Sequence, residues 1–149
     1  MPKYFAYYRW PLLCVATACS LSLWLFILLG QSKSFAEWNW VDILGEGGAT
    51  VFIAIWIFFI IKSRPLGRVT NYIFYGLCFI FFHMWMDSLD EFIRLPKEIM
   101  WDAWLESIPF PIGLCLFTIG IYFWHQEEQA ISKHMQKRER IYRDHRLFD

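Results

Sequence analysis

Hydrophobic residues in this chain fall into four blocks separated by short polar segments. The first, residues 11–30, is 20 residues long and carries no charge. At about 1.5 Å of rise per residue, such a helix crosses ~30 Å of hydrocarbon. The second block, 43–61, holds Glu46, Gly47 and Gly48 near its start and is then unbroken from Val51 to Ile61. The third covers 70–86. The fourth covers 108–124 and opens on Pro109 and Pro111, in a first turn where a missing N–H costs least. The segments between the blocks carry boundary signals. Gln31–Asp42 is polar and contains Trp38 and Trp40, suited to a membrane interface. Lys62–Arg68 is a basic turn with Pro65 and Gly67 to stop a helix. Asp87–Ser107 is expected to be an acidic loop or surface helix, broken at Pro96, with Trp101 and Trp104 as interface anchors. The opening MPKYFAYYRW reads as an interfacial anchor. The first block reads as a retained span, because it is too long for a signal-peptide core and no small-x-small site follows it. The pattern predicts an all-α integral membrane protein: a four-transmembrane-helix bundle over 1–125 and a C-terminal cytoplasmic helix over 126–149.

That last segment has no proline or glycine and is rich in helix formers. Glu127 and Glu128 come early and Lys137, Arg138, Arg140, Arg143 and Arg146 late, the order that suits a helix dipole. Ile131, Met135 and Tyr142, with Arg138 and His145 between and after them, follow a 4-3-4-3 spacing. Two heptads fall short of a coiled coil, and a solvated helix touching lipid headgroups fits the same residues.

Composition strengthens the membrane reading. The chain is 57% hydrophobic and 21% aromatic, whereas soluble domains are about 45–50% apolar, so the lipid bilayer is its first expected partner. Net charge is zero, and no basic surface argues for nucleic acid. Cys14, Cys19, Cys78 and Cys115 all lie in apolar runs without a CxxC, which suits small apolar side chains better than a redox centre. Basic residues also orient the spans. With the N-terminus inside, eleven lysines and arginines fall on the inner side and three, Lys33, Arg94 and Lys97, on the outer. Both termini are therefore expected in the cytoplasm.

In that orientation Glu46, His83, Asp87 and Glu106 gather toward the outer face. His83, Asp87 and Glu91 sit at i, i+4 and i+8, on one stripe of a helix. Ionisable groups at membrane depth are costly unless paired, hydrated or bound to something. A histidine with several carboxylates could hold a divalent metal, respond to protons, or line a polar pocket for a small molecule. Against this, outer loops are often acidic because basic residues are excluded, and a histidine near a helix end is commonly a satisfied interfacial residue. Asp90, Glu91 and Asp102 suit solvated surface. Met84 and Met86, at i+1 and i+3 from His83, do not together share one face with it, which disfavours copper. His83 and His125 lie at opposite ends, so haem is not expected. No P-loop, GxSxG or HExxH occurs, and no enzyme activity is expected.

Four stretches also carry a resemblance: Trp40 to Gly47 (WVDILGEG), Ser63 to Asn71 (SRPLGRVTN), Asp87 to Phe92 (DSLDEF) and Arg143 to Asp149 (RDHRLFD). Together they resemble the N-terminal membrane module of certain bacterial GGDEF-type diguanylate cyclases. The resemblance implies a bacterial inner membrane, a sensory bundle and an output through the cytoplasmic helix. The 149 residues contain no GGDEF segment, so the expectation is a module acting through a homodimer, a signalling partner or a lost output domain. The alternative is a small accessory subunit of a larger inner-membrane complex, with no ligand or catalysis of its own, to which nine tryptophans would lend packing surface.

Overall fold

The computed structural model describes residues 5–63, 67–96 and 107–145. The described residues are almost entirely helical: α1 Phe5–Leu29, α2 Trp40–Ser63, α3 Arg68–Phe92 and α4 Pro109–His145, with two-residue strands β1 Gln31–Ser32 and β2 Ile93–Arg94. Three of these helices, α1 to α3, are long and apolar enough to cross a membrane. Residues 64–66 of the expected turn Lys62–Arg68, and Trp101, Asp102, Trp104 and Glu106, lie outside the described residues.

Each helix departs from its hydrophobic block for a physical reason. α1 begins at Phe5, ahead of the expected start at residue 11, and Pro11 lies inside it. A proline there removes one backbone bond, a loss that membrane helices commonly tolerate. α2 begins at Trp40, ahead of the expected 43, because Asn39 caps it: Val41 N donates to Asn39 Oδ1 at 3.3 Å and Ile43 N to Asn39 O at 3.0 Å. The third block ends near residue 86, but α3 continues to Phe92, so the first residues of the expected acidic loop or surface helix, Asp87–Phe92, are the last turns of α3. Met86 and Leu89 are buried against Phe26 of α1, and Trp85 and Ile93 pack beside them. That apolar stripe keeps the last turns of α3 helical while its acids occupy other faces. The fourth block and the tail are one element: α4 runs unbroken through 37 residues.

α3 is the central helix. It runs antiparallel to α4, with Tyr72 beside Phe123, the Arg68 guanidinium over Phe123 at 4.9 Å, and His83 beside Phe110. Glycines bring these two backbones together. A methyl group in place of the Gly76 hydrogen would lie 2.8 Å from Gly113 O and 2.7 Å from Phe117 N. One on Gly120 would lie 2.9 Å from Ile73 N. Only hydrogen fits at these points, and small residues of this kind drive close helix packing in lipid, where no hydrophobic effect pushes helices together.

α1 is parallel to α3 and touches it along a narrow seam. Tyr8 OH donates to Asn71 Oδ1 at 2.8 Å near one end, and Trp85 Nε1 donates to Ser22 Oγ at 3.2 Å near the other. One core cluster, around Tyr8, Ile57, Ile61, Phe74, Leu77 and Cys78, joins α1, α2 and α3 at the first end. Elsewhere α1 and α2 face outward: 11% of the spanning residues of each are buried, against 39% in α3.

The loop expected to be merely polar is a folded clasp. β1 pairs antiparallel with β2, Gln31 opposite Arg94 and Ser32 opposite Ile93. Lys33 N donates to Phe92 O at 2.9 Å, and Lys33 Nζ lies 3.7 Å from Asp90 Oδ2. Trp38 stacks edge-on against Phe92 at 5.1 Å and adjoins Phe35 and Trp40, while its Nε1 donates to Lys33 O at 3.3 Å. The clasp ties the α1–α2 connection to the end of α3.

Candidate functional site

Of the four residues singled out by the sequence, the structure pairs two. His83 and Asp87 lie one turn apart on α3, with His83 Nε2 3.2 Å from Asp87 Oδ2. Their side chains are 15% and 16% exposed. With its proton on Nε2, the imidazole donates to the carboxylate; a second proton makes the contact an ion pair, stronger for the shielding around it. Glu91, one turn further, is half-buried on the same helix.

Glu46 lies in the second turn of α2, half-buried, and its backbone oxygen accepts from Thr50 Oγ1 at 2.8 Å. Glu46 Oε2 and Asp87 Oδ1 are both shielded from solvent. Glu106 falls outside the described residues. Among the described residues, no group of three or more histidine, cysteine, aspartate and glutamate side chains could hold a metal ion. The site includes, among the described residues, an imidazole–carboxylate pair, chemically suited to orient a polar ligand.

The packing around this pair contains a residue that pattern reasoning did not single out. The His83 ring lies 4.8 Å from the Phe110 ring, tilted by 43°. Phe110 is in the first turn of α4, so the imidazole is wedged between its own helix and the beginning of the longest one. Pro109, the first residue of α4, is buried, and Pro111 follows Phe110. Nothing in sequence spacing links positions 83 and 110; the glycine-set register of α3 on α4 does. His125 lies fifteen residues beyond Phe110 on α4, about 22 Å along a helix axis. It is exposed and pairs with Gln129 through a 2.9 Å contact between its Nε2 and the amide Nε2.

Beyond Trp124 the described side chains of α4 are exposed through Ile141, including Ile131 and Met135 at 62% and 61%. The side chains of Tyr142 and His145, the end of the expected heptad seam, lie outside the described residues. A second feature flanks α1. An apolar cleft of about 600 Å³ opens between α1 and α2, with α3 as its floor. Asp90, read from sequence as a solvated acid, is half-exposed but faces Lys33. Comparison with family models, with curated proteins and with solved structures finds no match to this chain.

Proposed function

We propose that this chain is a membrane-embedded signal-transducing module, with its input at the His83–Asp87 pair and its output in the exposed half of α4. The observation that carries the reading is the contact between His83 and Phe110. A change of charge or occupancy at the imidazole acts directly on the first turn of a helix that continues for 37 residues. An unbroken helix transmits a tilt or rotation from end to end, and here the far end is exposed and available to a partner. In this reading the apolar part of α4, residues 109–124, is a fourth span of about 24 Å, which the bilayer accommodates by local thinning. The asymmetry of lysine and arginine supports cytoplasmic termini, and the resemblance supports a bacterial inner membrane. The tail then acts on a second copy, a signalling partner or an output domain of the GGDEF class.

Two experiments test this. Reporter fusions after residue 145 and within residues 31–39 should report opposite sides of the membrane, the first cytoplasmic. A thermal-stability screen of the purified protein against metals, protons and small molecules should give a response that His83→Ala and Asp87→Ala abolish. Identical profiles for wild type and both variants would remove the input site.

The accessory-subunit reading draws on one observation of its own: the broad apolar faces of α1 and α2, with Trp10 66%, Trp24 65% and Phe52 68% exposed. Purification in mild detergent separates the readings. A stoichiometric larger partner favours the subunit, and a stable homodimer favours the signalling module.

A further inference from the structure

The cleft between α1 and α2 has a chemical character of its own. The two helices meet α3 but barely meet each other, and the space between them measures about 600 Å³. Its walls are apolar, including Ala16 and Cys19 on α1 and Ala54, Ile57 and Phe58 on α2. The small side chains Ala16 and Ala54 keep it open. One lining residue is charged: Lys62, in the last turn of α2. Its ammonium lies 5.9 Å from the centroid of the Phe58 ring, which itself lines the cleft, so the cation stands at the mouth. From Lys62 back to Ala54 is eight residues of helix, about 12 Å.

An apolar cleft between two helices of membrane-crossing length, with one cation at the end where Arg9 and Arg68 also lie, matches an amphiphile with an acyl chain and an anionic head. We infer that this cleft is a binding site for an anionic phospholipid, one acyl chain lying between α1 and α2 and the headgroup phosphate held by Lys62. The apolar walls retain any chain; Lys62 makes the choice of headgroup. A zwitterionic lipid carries a compensating positive charge on its head and gains less from the lysine. The cleft is lined from α1, α2 and α3 without His83 or Asp87, so the inference stands or falls apart from the proposed input site.

The test uses the full chain purified in a mild detergent. Native mass spectrometry would compare retention of phosphatidylglycerol and phosphatidylcholine with matched acyl chains. Wild type should prefer phosphatidylglycerol, and Lys62→Gln should lose roughly fivefold of that preference, the contribution of one lysine near an anionic headgroup. Lys62→Arg should keep the preference, and Ala54→Phe, which fills the slot, should lower retention of both lipids. Equal retention of the two lipids by wild type, or an unchanged preference in Lys62→Gln, overturns the inference. So does a preference for free oleate over phosphatidylglycerol, which would assign the slot to a fatty acid. Efficient disulfide capture of two Ala54→Cys protomers in nanodiscs, with the four native cysteines replaced by alanine, would place a second copy in the slot and overturns it as well.

Discussion

At the scale of single residues, hydrogen bonds between helices have unequal consequences. Tyr8 is buried, and its hydroxyl donates to Asn71, while Ser22 accepts from Trp85. These two bonds add polar pins to the narrow seam that α1 makes with the bundle through Tyr8 and Phe26. Interhelical hydrogen bonds in membranes average about 0.6 kcal/mol, so Tyr8→Phe should lower unfolding stability in detergent by roughly that amount. The double variant Tyr8→Phe with Ser22→Ala should loosen α1 as a unit, measured as faster proteolysis or amide exchange confined to residues 5–29. The His83–Asp87 pair is more shielded than the Lys33–Asp90 pair, whose aspartate is 46% exposed. Leaving a shielded polar group without its partner costs about 1–3 kcal/mol, whereas surface ion pairs contribute about 0–1 kcal/mol. Asp87→Ala should therefore destabilise the protein clearly, Asp87→Asn less, and Asp90→Asn hardly at all. Equal effects of Asp87→Ala and Asp90→Asn in a denaturation series would refute this ordering.

At the scale of elements, the α3–α4 pair and the clasp are the two devices that define the bundle. Gly76, Gly113 and Gly120 set the approach of α3 and α4, and any Cβ there meets backbone. Gly113→Leu should force the helices apart and destabilise by at least the ~1–3 kcal/mol typical of overpacking. It should also separate His83 from Phe110. Gly47, in α2, has open space around it, and Gly47→Ala should be neutral or stabilising by up to ~1 kcal/mol. Calorimetric or denaturant unfolding of the two variants checks this contrast. In the clasp, the aromatic contacts of Trp38 with Phe35, Trp40 and Phe92 outweigh the exposed ion pair. Trp38→Ala should release residues 31–39, read as new protease sensitivity there, while Lys33→Gln should not. These elements were partly legible in the sequence. The apolar runs marked every helix, but the second span was expected from residue 43, and the Asn39 cap that starts α2 at Trp40 was not read. The clasp was hidden because its two strands of two residues each carry no periodicity and pair positions that lie 61 or more residues apart.

At the scale of the whole molecule, three helices of membrane-crossing length and a fourth that continues far past its apolar part make an asymmetric object. One end is closed by the clasp, and the other extends as the exposed half of α4. If α4 acts as one rigid element, a break between its two halves should uncouple them without disturbing the bundle. Glu128→Pro, which removes a backbone bond and costs about 3 kcal/mol of helix stability locally, should leave the α3–α4 packing intact. It should broaden the distribution of spin-label distances between residue 135 and the end of α1. An unchanged distribution would show that the tail does not move with the helix it extends.

What the sequence determined by itself is the membrane-length apolar helices, their approximate limits and the stripe that joins His83 to Asp87, because hydrophobic periodicity and i, i+4 geometry are local properties of a helix. Only tertiary structure decided which helix is central, how close α3 and α4 come, that Phe110 covers the imidazole, and that α1 and α2 leave a cleft with a lysine at its mouth. In lipid every outward face is equally apolar, so composition cannot say which faces meet; hydrogen-sized gaps at glycines and single polar contacts make that choice.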